Sequence, residues 1–389
     1  MQLPPIVAPG PELSREEIAR YSRHLLIPDV GVEGQRRLKN SRVLVIGAGG
    51  LGSPTLLYLA AAGVGTLGIV DFDRVEASNL QRQVIHSHAT LGWRKTESAR
   101  ASITGLNPDL QVDCHNDPLT VENALTLIEQ YDLVLDGTDN FATRYLVNDA
   151  CVLAGKPYVW GSIFRFEGQA SVFWEQAPGG MGRNYRDLYP EPPPPHLAPS
   201  CSEGGVLGVL CAAIGSVMAT EAIKLITGTG ESLLGRLLTY DALDMAWRTL
   251  PLMPAPDRKP ITALQDYQQF CGAVPTDQPV EPVPAVSARE LEQRRSRGDR
   301  FQLIDVREST EWDIVRIEGA RHIPKDRLLR GDDVDSLPKD QPLIVHCKVG
   351  GRSRQVVKAL QARGFTNVLN LDGGILAWIR DVEPSLPTY

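Results

Sequence analysis

The sequence has few cysteines and no excess of basic residues, and each shortage excludes a class of protein. Six cysteines among 389 residues are too few for a secreted disulfide scaffold. The 40 Lys and Arg residues against 47 Asp and Glu give a net charge of −7, which argues against a nucleic acid as the partner. The amino-terminal residues contain no basic segment followed by an apolar core, so no signal peptide is expected.

Long apolar runs are also scarce. One uncharged stretch, residues 204–220, is rich in Gly, Ala and Ser, and the charged residues Glu221 and Lys224 follow soon after it. Its length predicts a buried helix of a soluble domain and no membrane span. We therefore expect a cytoplasmic, reducing compartment, in which isolated cysteines serve chemistry more often than crosslinking.

The chain divides into three regions, predicted at residues 14–250, 251–285 and 286–389. Two S-x-x-E capping boxes, Ser14 to Glu17 and Ser287 to Glu290, open the first and third regions, and the first box predicts a helix through Leu25. Eight prolines between positions 251 and 284 predict a linker, because proline interrupts helices and central strands.

Apolar runs alternate with helical segments in both outer regions, which predicts an α/β fold with parallel sheets. In the first region this is a doubly wound sheet, and in the third it is a smaller α/β domain of about 100 residues. The predicted strands are residues 42–46, 66–71, 132–136, 157–161, 168–174, 302–305 and 343–346; helices are predicted at 54–62 and 353–362.

A glycine-rich turn follows the first strand and fits the G-x-G-x-x-G pattern with Gly47, Gly49, Gly50 and Gly52. Such a turn brings the backbone close to phosphates at a helix N-terminus. Asp71 lies 19 residues beyond Gly52 at the end of the second strand, where a carboxylate binds ribose hydroxyls. This pattern alone is typical of a dinucleotide enzyme, and an NAD-dependent oxidoreductase remains one hypothesis.

Charged residues after the glycine motif favour adenylyl transfer instead. Ser78, Asn79, Arg82 and Lys95 follow the second strand, and residues 136–140 end another strand with two carboxylates, Asp136 and Asp139, before Asn140. Cations neutralise a triphosphate and a carboxylate holds magnesium, whereas hydride transfer has little use for this set.

Residues 14–250 resemble the adenylyltransferases of the ThiF/MoeB superfamily. The matching runs are RYSRHLLIPDVGVEGQ, RVLVIGAGGLG, GIVDFDRVEASNLQRQ, LDGTDNFATRYLVNDA and CSEGGVLGVL. The resemblance implies that ATP and Mg²⁺ activate a protein's C-terminal glycine as an acyl adenylate. It further implies a homodimer, in which Arg23 acts as an arginine finger from the opposite subunit. The resemblance assigns phosphate contacts to Arg82 and Lys95 and magnesium binding to Asp139. It assigns cofactor binding to the four motif glycines, Asp71, Ser78, Asn79 and Asn140.

An acyl adenylate needs a nucleophile, and Cys201 stands just before the long uncharged segment. A thiol near a helix start has a larger thiolate fraction. By resemblance, Cys201 forms a thioester with the carrier. We expect Cys114, Cys151 and Cys211 to be structural.

Many ThiF/MoeB relatives carry a structural zinc on two Cys-x-x-Cys pairs. Here residues 184–187 read Asn-Tyr-Arg-Asp at the first pair, and only Cys271 stands near the second. Because a tetrahedral site needs four ligands, we predict no zinc. His86 and His88 are expected to be structural rather than metal ligands.

A second cysteine lies in a loop between a predicted strand and helix, formed by Cys347, Lys348, Val349, Gly350, Gly351 and Arg352. Backbone N–H groups, the following helix and Arg352 all favour a thiolate there, and then a persulfide.

Residues 287–389 resemble a rhodanese domain, carried by the runs LIDVRESTEWD, IEGARHIP and NLDGGILAW together with the cysteine loop. A phosphatase is the competing interpretation, since phosphatase cysteine loops also end in Arg. That family has five residues between Cys and Arg, and this loop has four, which favours sulfur transfer.

The whole chain thus resembles adenylyltransferase/sulfurtransferases of the MoeZ type. The resemblance implies a ubiquitin-like sulfur-carrier protein ending in Gly-Gly, thiosulfate or a cysteine desulfurase as sulfur donor, and a thiocarboxylate product for molybdopterin or cysteine biosynthesis. The alternative is an enzyme that activates a ubiquitin-like protein for conjugation, with the rhodanese part as a docking module. The order in which Cys201 and Cys347 act stays open.

Overall fold

The structure of the protein, a computed structural model, describes residues 2–193, 204–271 and 283–389. The chain forms two compact units, Met1–Pro275 and Thr276–Tyr389. The first unit extends past the predicted boundary at 250, because residues of the proposed linker pack on it. Leu252 and Tyr267 are buried in its core, and the Tyr267 hydroxyl donates a 2.8 Å hydrogen bond to Asp149.

The first unit alternates strands and helices as predicted through residue 164, whereas its last four strands include two antiparallel hairpins without a helix between their strands. Its strands are β1 Arg42–Ile46, β2 Thr66–Val70, β3 Gln111–His115, β4 Leu133–Asp136, β5 Tyr158–Phe164, β6 Glu167–Phe173, β7 Arg236–Asp241 and β8 Ala246–Pro251. Its helices in the described residues are α1 Arg15–Arg20, α2 Ser22–Leu25, α3 Gly31–Asn40, α4 Gly52–Ala62, α5 Lys95–Leu106, α6 Ala124–Ile128, α7 Phe141–Ala154, α8 Tyr185–Leu188, α9 Gly208–Thr227 and α10 Tyr267–Phe270.

These strands form one sheet in the order β3-β2-β1-β4-β5-β6-β7-β8. The pairs from β3 to β5 are parallel, and those from β5 to β8 are antiparallel. After β1 the chain forms β2 on one side of β1, and it later forms β4 on the other side of β1. A crevice therefore opens at the carboxyl ends of β1 and β4, where doubly wound sheets bind ligands.

The long uncharged segment contributes to α9, which packs against α4, β5 and β6. Of the described residues, α9 is the one helix long and apolar enough to cross a membrane, and just over half of it is buried inside the unit. Its charged residue Glu221 is itself buried and accepts a 2.7 Å hydrogen bond from the Leu233 N–H. These contacts are those of a core helix.

The predicted capping box at Ser14 is confirmed, since Ser14 and Glu17 exchange hydrogen bonds at the start of α1. The predicted single helix to Leu25 is wrong in one respect: it breaks at Tyr21 into α1 and α2. Tyr21 is buried and its hydroxyl accepts a hydrogen bond from Asn107 of the α5 C-cap, which draws the chain inward there.

The second unit is a five-stranded parallel sheet in the order β11-β10-β12-β13-β9. The strands are β9 Ala285–Val286, β10 Gln302–Asp305, β11 Arg321–His322, β12 Leu343–His346 and β13 Val368–Leu371. The helices in its described residues are α11 Ala288–Ser296, α12 Ser309–Ile314, α13 Lys325–Arg330, α14 Gly351–Ala362 and α15 Gly374–Asp381.

Two local expectations for this unit are corrected. Ser287 caps α11 by accepting from the Glu290 N–H, but the Glu290 carboxylate pairs with Arg294 one turn on. Helix α14 begins at Gly351, two residues before the predicted start, so Gly351 and Arg352 belong to its first turn.

Candidate active sites

A cleft of about 220 Å³ lies at the switch point of the first sheet. It brings together most of the predicted nucleotide residues, although these are far apart in sequence. The predicted residues that line it are Gly47, Gly49, Gly50, Asp71, Arg82, Lys95, Asp139 and Asn140.

The glycine turn leaves no room for a side chain at Gly50 or Gly52. Gly47 has φ +93°, in the left-handed region that favours glycine. A Cβ at Gly52 would overlap the Gly47 carbonyl oxygen, and one at Gly50 would lie 2.6 Å from the Cys211 sulfur of α9. Gly52 thus allows α4 to start directly behind the turn, and its N-terminal end faces the cleft.

Buried His86 braces this turn. Its Nε2 lies 2.9 Å from the Ala48 carbonyl oxygen and its Nδ1 2.9 Å from the Ser98 hydroxyl. Burial lowers the pKa of the imidazole, which favours the neutral form that donates to one partner and accepts from the other. The predicted structural role of His86 is therefore confirmed.

Asp71 anchors the cleft from the end of β2. Its Oδ2 accepts a 2.9 Å hydrogen bond from the Ala48 N–H, and its Oδ1 accepts one of 2.9 Å from the Asp73 N–H. The carboxylate is nine-tenths buried and faces the glycine turn, as a ribose ligand would.

Lys95 begins α5 and its ammonium is largely buried in the cleft. Its Nζ donates a 2.8 Å hydrogen bond to Asp73 Oδ2. Sequence reasoning missed Asp73, although its place two residues after Asp71 was the available signal. The pairing keeps the lysine charge at the cleft without leaving it unpaired.

Arg82 lies in the cleft wall and donates a 3.1 Å hydrogen bond to the Ser78 carbonyl. Ser78 and Asn79 are not among the cleft-lining residues: Ser78 is exposed, and the Asn79 side chain accepts from the Glu76 N–H to hold the turn. Arg23 lies exposed on α2 and is not among those lining residues of its own chain.

Asp139 presents an exposed carboxylate at the cleft, directly after β4. The preceding acid, Asp136, is fully buried, and burial raises its pKa toward the uncharged form. Asp136 instead accepts hydrogen bonds of 2.9 and 2.7 Å from the backbone and hydroxyl of Thr138. It therefore shapes the turn that carries Asp139.

Arg144, which sequence reasoning also missed, holds the same turn from α7. Its guanidinium donates two hydrogen bonds, of 3.1 and 2.9 Å, to the Thr138 carbonyl and lines the cleft. It lies one helical turn after Asn140, whose side chain caps α7.

The donor set fits a magnesium ion on nucleotide phosphates. Magnesium in such sites takes one or two protein carboxylates and draws its remaining ligands from phosphates and water. Asp139 supplies one accessible carboxylate. Across the described residues no three His, Cys, Asp or Glu side chains cluster, so the chain offers no complete metal cage there.

Asp187, the last of the four residues compared with a first Cys-x-x-Cys pair, belongs to an ion-pair cluster. Arg258 lies within 2.5 Å of Asp187 and 2.7 Å of Glu175. Asp187 also accepts from the backbone N–H of Asn184, at the start of α8. These contacts tie residues after β8 to the body of the unit.

In the second unit, Cys347 follows β12 and is completely buried. Its sulfur accepts a 3.1 Å hydrogen bond from the Gly350 N–H and lies 3.4 Å from the Ser353 hydroxyl. Gly350 has φ +97°, which turns its N–H back toward the cysteine. Ser353 was not singled out from the sequence, although it is the third residue of α14.

Arg352 was expected to add positive potential at the cysteine, but it is neutralised. Its guanidinium donates hydrogen bonds of 2.6 and 2.7 Å to Glu311 of α12. Burial opposes ionisation of Glu311. The hydrogen bonds from Arg352, the Glu308 N–H and Tyr389, together with the Arg352 charge, outweigh it and lower the carboxyl pKa to about 2. Lys348 is the other loop cation, and its Nζ lies 4.5 Å from the Tyr389 ring centroid.

The remaining cysteines differ from Cys347 in their surroundings. Cys151 and Cys211 are buried and Cys114 is half-buried, and burial raises the pKa of the Cys151 and Cys114 thiols. Burial also raises the pKa of Cys271 to about 11. Cys201, the predicted thioester nucleophile, lies outside the described residues.

Comparison with known proteins places both units in families. The ThiF family matches residues 21–261, and the rhodanese-like domain matches residues 287–381. The fold of the first unit is similar to that of the Escherichia coli MccB crystal structure with ATP, at a TM-score of 0.53 and 22% identity over 62% of this chain and 73% of that one.

Two curated relatives match nearly the whole chain. The probable adenylyltransferase/sulfurtransferase MoeZ of Mycobacterium tuberculosis is 60% identical, covering 100% of this chain and 99% of that protein. The adenylyltransferase and sulfurtransferase MOCS3 of Drosophila ananassae is 41% identical, covering 97% and 87%. The nucleotide cleft and the cysteine loop thus stand in the two halves of one known architecture, and this chain belongs to the family of enzymes that join a ThiF-type adenylyltransferase to a rhodanese-like sulfurtransferase.

Proposed function

We propose that the enzyme converts the C-terminal glycine of a ubiquitin-like sulfur carrier into a thiocarboxylate. The observation that carries the proposal is that a nucleotide cleft and a cysteine loop with an N–H aimed at sulfur occur in one chain. The first unit supplies an activated carboxyl group and the second supplies a sulfur nucleophile. The same proposal assigns the product to molybdopterin or cysteine biosynthesis in the cytoplasm.

In the adenylation step the carrier carboxylate attacks the α-phosphorus of ATP and pyrophosphate leaves. Lys95 and Arg82 lie in the cleft to stabilise charge on the phosphates, and Asp71 lies where it would bind the ribose. Asp139 would hold the magnesium ion, which neutralises the leaving pyrophosphate when bound. In a homodimer, Arg23 would come from the partner chain.

In the sulfur step Cys347 first takes sulfur from a donor. With thiosulfate, the Cys347 thiolate attacks the outer sulfur, a Cys347 persulfide forms and sulfite leaves. The persulfide then attacks the carrier carbonyl, either in the adenylate or in a thioester on Cys201, and releases AMP or the Cys201 thiolate. Attack of Cys201 on the resulting acyl disulfide frees the thiocarboxylate and leaves a Cys201–Cys347 disulfide, which a cellular thiol reduces.

The test incubates the full chain with candidate Gly-Gly carriers, Mg-ATP, thiosulfate and a thiol reductant, and weighs the carrier by mass spectrometry. A mass gain equal to oxygen-to-sulfur exchange is expected with the native enzyme. Cys347→Ala should give no gain. Cys114→Ser, which alters a half-buried cysteine on β3, is the matched control and should behave as the native enzyme.

The alternative, activation of a carrier for conjugation, makes the opposite prediction. If the rhodanese unit only docks partners, Cys347→Ala leaves carrier products intact and the carrier appears in amide linkage to other proteins. Absence of a thiocarboxylate with every Gly-Gly carrier would contradict our proposal.

A further inference from the structure

Tyr389 lies beside the cysteine loop, although it is far from that loop in sequence. Its ring faces the Lys348 ammonium at 4.5 Å, and its hydroxyl donates a 2.9 Å hydrogen bond to Glu311 Oε1. The same oxygen accepts from Arg352. The Tyr389 side chain thus contacts the cysteine loop near both of its ends. It contacts Lys348 directly, and it reaches Arg352 through Glu311.

A buried arginine holds Tyr389 from the other side. Arg307 is fully buried and donates a 2.6 Å hydrogen bond to the Tyr389 hydroxyl oxygen. It also pairs with Asp305 at the end of β10, and its guanidinium carbon lies 5.6 Å from the Tyr389 ring centroid. The phenol therefore uses its oxygen both as acceptor and as donor, and its position is fixed from within the core.

The same chain of contacts reaches the residue before Cys347. Asp305 Oδ2 lies 3.5 Å from Nε2 of His346, the last residue of β12. A hydrogen-bonded network therefore runs from Asp305 through Arg307, Tyr389 and Glu311 to Arg352, and His346 lies against its Asp305 end without a hydrogen bond. It lies beside both ends of the cysteine loop. The Tyr389 hydroxyl joins the Arg307 and Glu311 side chains, and Arg307 also donates a 3.2 Å hydrogen bond directly to the Glu311 carbonyl oxygen.

We propose that Tyr389 is a positioning residue for sulfur transfer at Cys347, which holds Lys348 over its ring and fixes the Glu311–Arg352 pair through its hydroxyl. This inference rests on the proposed role of Cys347 as the persulfide carrier. Since Glu311 neutralises Arg352, Lys348 is the loop cation left to attract an anionic donor such as thiosulfate. A lysine fixed over an aromatic face is preorganised for that contact, whereas a free one must be ordered on binding.

The test measures thiocyanate formation from thiosulfate and cyanide by the full chain. In that reaction thiosulfate transfers its outer sulfur to the Cys347 thiolate and leaves as sulfite, and cyanide then takes the sulfur and restores the thiolate. Tyr389→Phe removes the hydroxyl and keeps the ring, so the KM for thiosulfate should rise about threefold. Tyr389→Ala removes both, and the KM should rise about tenfold.

The pattern of constants separates positioning from folding. The kcat should stay within about twofold in both variants, because binding of the donor is what changes. In a Lys348→Met background, Tyr389→Ala should raise the KM no more than Tyr389→Phe does, since the ring then has no cation to hold. Lys339→Ala removes another lysine from an aromatic ring, that of Phe365, and should leave both constants unchanged.

Two results would overturn the inference. One is a native KM in both Tyr389 variants. The other is a parallel fall in kcat and in the thermal midpoint with no change in KM, which would show a purely structural role. Full sulfur transfer by Cys347→Ser would instead contradict the proposed function itself, whatever the Tyr389 variants do.

Discussion

Arg352 and Glu311 stand 41 positions apart, and the guanidinium of the first donates two hydrogen bonds, of 2.6 and 2.7 Å, to the carboxylate of the second. This pair joins the first turn of α14 to α12 across the cysteine loop. It determines how charge is distributed around Cys347, because the loop arginine that would face the sulfur is already paired. The charge balance at the loop is therefore set by a residue that lies outside it.

The Glu311 carboxylate should make the stability of the second unit depend on pH. Its pKa is about 2 in the folded chain against an ordinary 4.5, so the stabilisation is complete above about pH 5 and is lost as the pH falls from 4.5 to 2. The shift corresponds to about 3 kcal/mol. Hydrogen-exchange mass spectrometry across this pH range should show the loss in the second unit.

Glu311→Gln should remove that pH dependence and destabilise the unit at neutral pH, because Arg352 loses its charged partner. Glu290→Gln changes an exposed carboxylate paired with Arg294 in the same unit and serves as the control. Equal pH profiles for Glu311→Gln and the native chain would contradict the prediction.

Two adjacent glycines of the cysteine loop should respond differently to alanine. Gly350 has φ +97° and directs its N–H to the Cys347 sulfur, so Gly350→Ala should cost about 1 kcal/mol of stability and lower sulfur transfer. Gly351 is exposed, and a methyl group added at its Cα would meet no neighbouring atom within 4 Å, so Gly351→Ala should be tolerated. Thiocyanate formation and thermal unfolding check both variants, and equal losses in the two would refute the assignment of Gly350.

Lys95 should contribute to nucleotide binding through its charge. Its ammonium lies largely buried in the cleft against Asp73, and Lys95→Ala should weaken Mg-ATP binding about tenfold. Lys39→Ala is the control. Lys39 also pairs with a carboxylate, that of Glu17, but it is not among the residues that line the cleft. Calorimetric titration with Mg-ATP should show weaker binding in the first variant alone, and a native affinity for Lys95→Ala would rule out the phosphate contact.

The Arg258 cluster should stabilise the first unit without a metal. Arg258→Ala would leave Asp187 and Glu175 without their shared cation, and we expect a loss of about 3 kcal/mol. Chelators should not change the unfolding of the native chain, in keeping with the prediction of no zinc. Metal analysis that finds one zinc per chain would contradict that prediction.

Much of the fold follows from short-range pattern. Each predicted strand appears close to its expected bounds. A short apolar run such as residues 42–46, which stands between a helix C-cap and a glycine turn, has few other structures available. The helix break at Tyr21 did not follow, since it depends on the distant Asn107. Packing of residues 252–271 depends equally on distant partners, Asp149 among them.

The candidate sites also combine features that a local pattern predicts with features that depend on distant residues. Residues within one motif, such as the glycine turn and the cysteine loop, could be named from spacing alone. Their partners could not: Glu311 precedes Arg352 by 41 residues, and Tyr389 follows Glu311 by 78. The charge of Arg352 was misjudged for this reason, because a pattern local to the loop contains no information about a carboxylate on another helix.

The complete burial of Cys347 has a consequence for how the loaded and empty enzymes differ. A persulfide places its reactive atom about 2 Å beyond the cysteine sulfur, along the one new bond. In the empty chain Cys347 has no exposed surface, so a donor must reach a concealed thiol. In the proposed mechanism an acceptor instead reaches a sulfur atom one bond further from Cys347, so donor and acceptor meet different steric demands at the same loop.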